Sequence, residues 1–482
     1  VLKHPRTLPL TAVLALSIPV TALATNGYFS HGYGTKAKGM AGASGAALPQ
    51  ETMTAFTNPA GIVKLGGRAD LGLAFFMPDR GYTANNDFVP DPNDPLGAAP
   101  ITPGTVESDN SVFLIPHLGL SWMLDDKSAL AVTLAGQGGM NTEYPTATFE
   151  NFAFEPNTAL VFGPGGQPVV GPGGLEFEPV ASNDPRNLNP NGRFNASKPT
   201  GVDLIQMAIA LTYSRQLTER HAVGITPIFA IQRFKAEGLQ PFTQIGPDGQ
   251  PLFSVSPQNV TNNGFDYSYG GGVRVGWLGT VADGLDLGVS YQTKLYMTDF
   301  DNYKGLFADG GGFDIPAVLN VGAAYKLTPK ITLAFEYDRI FYSDVESLNN
   351  SNNEKPTLKP LEDNRLGAND GLGFGWEDIN VYKFGAQYDY SDDWAFRLGY
   401  SHSDEPFKGA QALFNILAPA TVTDHLTAGL TYRFGGGHEI NLAYMHAFEN
   451  EIEGQNQPNT GSQTGDVFMS QNEVEISWGY RF

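Results

Sequence analysis

Eight histidines, many serines and no cysteine set the limits of the chemistry open to this 482-residue chain. Without thiols there are no disulfides, thiolate metal sites or Cys nucleophiles. A Ser–His hydrolase needs its nucleophile and base brought together, and neither a G-x-S-x-G elbow nor an H-E-x-x-H helix occurs. His402 and Asp404 share one face of an alternating segment, but no nucleophile stands beside them. Asp87, Asp91, Asp94 and Asp109 read as solvated loop carboxylates, so neither a metal site nor a cofactor is expected. A Gly-rich run, KAKGMAGASGAAL, lacks the preceding strand and following βαβ unit of a phosphate loop. What remains chemically specific is a set of cations at Arg274, Lys294, Lys383, Arg397 and Arg433. Each falls on the polar side of an alternating pattern, where it could meet a carboxylate.

Those cations are positioned by the feature that dominates the chain. Val474, Ile476, Trp478, Tyr480 and Phe482 alternate with Glu475, Ser477, Gly479 and Arg481, a strand with one apolar and one polar face. The same alternation returns at 331–338, 381–390, 394–401 and 426–434. Fourteen strands are expected: 68–83, 111–124, 128–142, 201–217, 221–237, 264–280, 285–303, 317–327, 331–346, 378–390, 394–404, 421–434, 438–450 and 468–482. Each approaches the roughly 9–11 residues of a tilted membrane-crossing strand. After every even strand comes a tight polar turn, and after every odd strand a longer loop, extreme at 143–200. That asymmetry is the pattern of outer-membrane barrels. Aromatics near strand ends, such as Trp122, Tyr213, Trp277, Tyr325, Tyr400, Tyr432 and Tyr480, suit interfacial girdles. A soluble sandwich would hide its apolar face, yet here the other face carries charge on strand after strand.

Composition agrees. Charged residues make up 16% of the chain, aromatics 12%, and glycines number 57. A net charge of −21 argues against a nucleic-acid partner, which requires a basic face. Residues 1–24 read as a signal peptide: a basic start at Lys3 and Arg6, an apolar stretch, and Ala22-Leu23-Ala24 as a small-x-small cleavage site. The expected fold class is therefore an all-β transmembrane protein, a 14-stranded antiparallel outer-membrane β-barrel, with residues 68–482 as barrel and extracellular loops. Fourteen strands enclose a hole unless something fills it. Residues 25–67 have no sustained strand pattern, and Gly39, Gly42 and Gly45 suit short helical turns packed against a wall. They are expected to form an N-terminal helical hatch. Within it Pro59 fixes its own φ and pushes Asn58 away from helical geometry, leaving the Asn58 side chain free to bond nearby backbone.

The run GYGTKAKGMAGASGAALPQETMTAFTNPAGIVKLGG resembles the hatch of the FadL/TodX family, outer-membrane transporters of long-chain fatty acids and aromatic hydrocarbons. Asn58-Pro59-Ala60 sits where that family carries its NPA motif. GQGGMNTEYP at 136–145 is similar to its third strand and following loop, and 306–327 and 331–345 are similar to its central strands, Ile315-Pro316 included. The chain departs from the family in opening Asn26-Gly27-Tyr28-Phe29 and in its longer 143–200 loop. The resemblance implies a passive importer of hydrophobic compounds in which the residues Asn26, Gly27, Tyr28 and Phe29 lie under the ligand and move when it binds. It also implies a kink in the third strand that opens a lateral gap toward the bilayer. Gly136, Gly138 and Gly139 suit that role physically, because glycine weakens strand pairing. The terminal Ile476, Trp478, Tyr480 and Phe482 resemble the assembly signal of the class.

A hydrophobic ligand gains roughly 0.8 kcal/mol per CH₂ removed from water, so a useful channel needs apolar landing sites. The long loops offer Leu239, Phe242, Ile245, Leu252 and Phe253, then Leu306, Phe307, Phe313 and Ile315, with Lys294 as a candidate cation. The expected partners are a fatty acid or hydrocarbon, outer-membrane lipid and lipopolysaccharide, and the assembly machinery, for a monomer in a Gram-negative outer membrane. The alternatives are a general or sugar-specific porin and, further off, an outer-membrane phospholipase.

Overall fold

The computed structural model describes residues 25–85, 100–164, 166, 169–171, 174–246, 249–353, 363–455 and 463–482. The expected signal segment and Asp87, Asp91 and Asp94 lie outside them. Alternating sequence becomes alternating burial, residue by residue. The strands are β1 (Arg68–Ala84), β2 (Phe113–Asp125), β3 (Ser128–Asn141), β4 (Gly201–Gln216), β5 (His221–Glu237), β6 (Asp266–Ala282) and β7 (Leu285–Gln292). They continue as β8 (Ala317–Thr328), β9 (Ile331–Phe341), β10 (Ile379–Asp389), β11 (Trp394–Ser403), β12 (Asp424–Phe434), β13 (His438–Ile452) and β14 (Gly465–Arg481). Each pairs antiparallel with its sequence neighbour, and β14 pairs with β1 from Arg68↔Arg481 to Ala84↔Gly465, which closes the barrel. Closure leaves no strand edge unpaired in lipid.

The turns β2–β3, β6–β7 and β8–β9 take two residues each, whereas the loop after β3 covers 142–200. Outward positions are apolar and exposed: Phe229 56%, Phe384 53% and Leu398 64%. Ile476, Trp478 and Phe482 of the β14 end belong to this outward band. No described helix is long and apolar enough to cross a membrane. Leu398 stands at the middle of β11, so Leu398→Arg is expected to cost the folded barrel about 2–4 kcal/mol, measured by denaturant titration in liposomes. The same change near a strand end should cost far less.

Two strands differ from expectation. β7 was expected to run to 303 but stops at Gln292, and only Tyr296–Met297 rejoin β6, opposite Gly271 and Gly270. Between Arg274↔Gln292 and Gly271↔Tyr296, three residues face two, a bulge that shifts side-chain parity by one. β9 was expected to reach 346 but turns at Tyr342–Asp344.

Residues 25–67 lie within the barrel, nearly all buried. Their short turns are Thr35–Lys38, Thr52–Phe56 and Pro59–Lys64. Polar wall groups hold them. Lys38 Nζ lies 2.7 Å from both Glu473 and Glu475, and Lys36 pairs with Glu439, which also meets Arg68. Asp70 accepts from the Thr52 amide and hydroxyl at 2.8 Å, and Glu336 from the Ala46 amide at 2.6 Å. Asn58 caps the Pro59–Lys64 turn by accepting from the Ala60 amide, and donates to the Ala46 and Trp277 carbonyls at 2.7 and 2.9 Å.

Candidate ligand channel

Above the internal segment the long loops bring their apolar residues together. Leu239, Phe242, Leu306 and Phe307 line one pocket with Phe149, Phe234, Leu366, Leu372, Phe374 and Phe414. Among the described residues its lining carries no charged side chain, and the one side-chain hydroxyl there, that of Ser347, is spent on the Gly312 carbonyl. Phe253 and Phe152 extend the apolar lining toward the loop surface through Phe242 and Phe414. The rings interlock: Phe242 stands 5.4 Å from Phe149, 5.9 Å from Phe253 and 6.0 Å from Phe414.

The other residues singled out from sequence are placed differently. Phe313 sits below the pocket, 4.8 Å from Phe307 and 6.3 Å from Tyr28. Ile315 is spent on a backbone bridge to Leu295. Ile245 and Leu252 belong to a small loop in which Ile245 bridges Pro251, and neither lines the pocket. Lys294 does not face the interior as its spacing had implied. The β7 bulge gives the buried position to Leu295, and Lys294 pairs instead with Asp314 at 3.1 Å, above the exposed Tyr296 ring. Arg274, Lys383 and Arg397 do face inward, whereas Arg433 lies half-buried near Asp389. His402 bonds Asp424 on the outer face, and Asp404 accepts from Asn380, so the two do not form a couple.

The floor of the aromatic stack is the tip of the internal segment. Tyr28 and Phe29 stack at 4.9 Å, and Tyr342 and Trp376 stand 5.6 and 5.9 Å from Tyr28. The tip lies on β3: Phe29 forms a bridge to Gly138, and the Gly139 amide donates to the Tyr28 carbonyl at 3.2 Å. Only glycine fits at 138, because a Cβ there would stand 2.5 Å from the Tyr28 carbonyl oxygen and 2.8 Å from its ring.

Beside this contact the wall is unzipped. β2 and β3 pair from Asp125↔Ser128 to His117↔Ala135 and no further. Above that point β3 continues on β4 alone, with a register shift between Gly136 and Gly138, while β2 continues on β1 alone. The next β2 residue is Pro116, which has no N–H to offer. A mostly apolar cleft, lined by Phe76, Phe113, Gly139, Met140 and Met469 among others, adjoins the break. Beneath Phe29 a further chamber is more polar than these, with Gln137, Arg274, Gln292, Asn320, Asp338 and Lys383 in its lining beside Tyr33, Phe56, Val318 and Ile340. Arg274 donates there to the Thr57 carbonyl at 2.9 Å and to Gln292 at 3.0 Å, and Lys383 pairs with Asp338 at 2.5 Å.

Sequence reasoning missed Tyr342, Trp376, Phe374, Phe414 and Phe149. Phe149, Phe374, Trp376 and Phe414 lie in loop segments without periodicity, and Tyr342 fell inside the stretch expected to continue β9 to 346. Their one signal was aromatic density, as in GFGWED at 373–378.

A closed barrel with a lipid-compatible exterior and an apolar chamber under its long loops defines an outer-membrane β-barrel channel. Residues 186–478, more than half of the chain, match the family described as Outer membrane protein transport protein (OMPP1/FadL/TodX), and the chain belongs to that family. Its members are transport channels, not enzymes, and the outer membrane is its location. Among solved structures it is similar to the Pseudomonas putida toluene transporter TodX, at 18% identity and a TM-score of 0.61, covering 95% of this chain and 100% of that one. A Pseudomonas aeruginosa FadL homologue follows at 16% identity and a TM-score of 0.60, and the Ralstonia pickettii toluene transporter TbuX at 18% and 0.57, each covering 94% of this chain and 99% of the other. At these identities the likeness shows the fold. No curated protein matches by sequence.

Proposed function

We propose that this protein is a passive, ligand-gated channel for hydrophobic small molecules, with residues 25–67 as its plug. A ligand enters the apolar loop pocket, displaces the tip at residues 26–29, and leaves sideways through the break between β2 and β3. The observation that carries this reading is contiguity: pocket-lining Phe307 touches Phe313, Phe313 touches Tyr28, and Tyr28 rests on the glycines at the wall break. The straight route toward the short-turn rim leads through the polar chamber, where an apolar molecule would displace hydrogen-bonded groups without replacing their partners. The sideways route keeps it in apolar surroundings. The toluene transporters and the fatty-acid transporter homologue among the similar structures make aromatic hydrocarbons and fatty acids the substrates to test first.

Residues 1–24 would be removed on export, and the outward Ile476, Trp478, Tyr480 and Phe482 would be read by the assembly machinery. The barrel would act as a monomer surrounded by outer-membrane lipid and lipopolysaccharide.

The test is uptake of labelled toluene and labelled oleate by cells lacking their own transporter. Expression should raise entry of at least one; equal entry of both with and without the protein would sink the proposal, and steady open-porin conductance would favour a general pore. Deleting residues 26–29 should change ligand retention severalfold while the barrel still assembles, checked by heat-modifiable gel mobility alongside uptake.

A further inference from the structure

The internal segment is held in two unlike ways. From Thr35 to Asn58 it is tied to the wall by buried ion pairs and charged hydrogen bonds. At the tip those give way to ring contacts and three neutral hydrogen bonds to the surrounding protein. One is the Gly139 amide donating to the Tyr28 carbonyl. The other two meet at one atom, the hydroxyl oxygen of Tyr342. It accepts from the Tyr28 amide at 3.2 Å and donates to the Asn26 carbonyl at 2.6 Å. The Asn26 carbonyl also accepts from the Phe29 amide, so the Tyr342 hydroxyl sits on the bond that folds the tip back on itself.

The fit between the two is close. Gly27 has φ +63°, a conformation that favours glycine, and a Cβ there would stand 2.6 Å from Tyr342 Cζ. Tyr342 is fully buried, and burial holds its phenol well above its ordinary range, so the hydroxyl keeps its proton. The ring has a second face of contact. Trp376 packs perpendicular to it at 5.0 Å and stands 6.2 Å from Phe374, which lines the ligand pocket. Trp376 is itself pinned by its Nε1 donating to Asn415 at 2.6 Å.

We infer that Tyr342 is the latch of the gate: its hydroxyl fixes the tip in the resting state, and its ring links the tip to the pocket wall through Trp376. The inference rests on the gating reading above and assigns the residue that sets the resting equilibrium. Breaking the latch raises the displaced population before any ligand binds, and a ligand that prefers that state then binds with less opposition.

The absence of cysteine permits a direct readout. A single Ser30→Cys, beside the tip, reports opening by its rate of reaction with a water-soluble maleimide in purified full-length protein. Tyr342→Phe keeps the ring and removes both bonds. It should speed labelling about 10-fold without ligand, as expected for two net hydrogen bonds, and added toluene should then accelerate it little further. Gly27→Ala, which presses on the same ring from the tip side, should do likewise and serves if Tyr342→Phe assembles poorly. Unchanged labelling in both variants, with uptake still sensitive to deletion of residues 26–29, overturns the latch and leaves the gate. Unchanged labelling together with indifference to that deletion overturns both.

Discussion

Lys38→Met should weaken the folded barrel by about 3–5 kcal/mol, the cost of leaving buried charge without its partner. The Lys38 ammonium lies between two carboxylates of β14, those of Glu473 and Glu475, and all three side chains are 5% exposed or less. Glu475 retains the Thr35 hydroxyl at 2.7 Å, whereas no other hydrogen-bond donor reaches Glu473 among the described residues. The two carboxylates then lie side by side on the inner face of β14 without the ammonium that bridged them. Denaturant titration of the reconstituted protein, or the temperature at which the compact gel band is lost, reads the loss. Adding Glu473→Gln and Glu475→Gln should restore much of it, because the penalty belongs to the stranded charges. A Lys38→Met protein as stable as the parent would mean that the segment draws little of its anchorage from this cluster.

Phe242→Asp should lower affinity for toluene by about 100-fold, equivalent to about 2.8 kcal/mol, while the barrel still assembles. The Phe242 ring is 6% exposed and lines both the pocket and the adjoining aromatic cleft, in contact with Phe149, Phe152, Phe253 and Phe414. Removing it forfeits several aromatic pairs, each worth about 0.5–1.5 kcal/mol, and part of the ligand's own contact surface. The carboxylate put in its place finds no charged partner among the described residues of the pocket lining and draws water in, so an arriving hydrocarbon must dehydrate it. Phe242→Leu should cost much less, since the site stays dry. Binding titrations on purified protein separate this from any effect on the gate; an affinity for toluene unchanged by Phe242→Asp would move the landing site elsewhere.

The strands were legible because each reports itself. A period of two is a local property, and turn residues at 126–127, 283–284 and 329–330 punctuate it without reference to the rest of the chain. Even the break in the wall left a local trace, since Gly136, Gly138 and Gly139 lie within four residues. Pro116, its complement on β2, was not singled out: its meaning depends on standing across from that cluster, and no single strand reveals what it faces.

Lys294 shows the limit of periodicity. Its parity pointed inward, and one extra residue in a bulge opposite Gly272 and Val273 turned it out. The loops show a deeper limit. Leu239, Phe242, Leu306 and Phe307 do line one pocket, but Ile245 and Leu252, equally apolar and as near in sequence, do not. Their partners Phe149, Phe374 and Phe414 come from three other loops, and no spacing rule connects segments so far apart in sequence. By itself the amino-acid sequence determined that this chain closes into a fourteen-stranded barrel with an oily exterior, because alternation acts between neighbours. Which rings meet over the tip and which hydroxyl bonds to it were decided only by closure of the barrel, which sets distant loops against one another at a few ångströms.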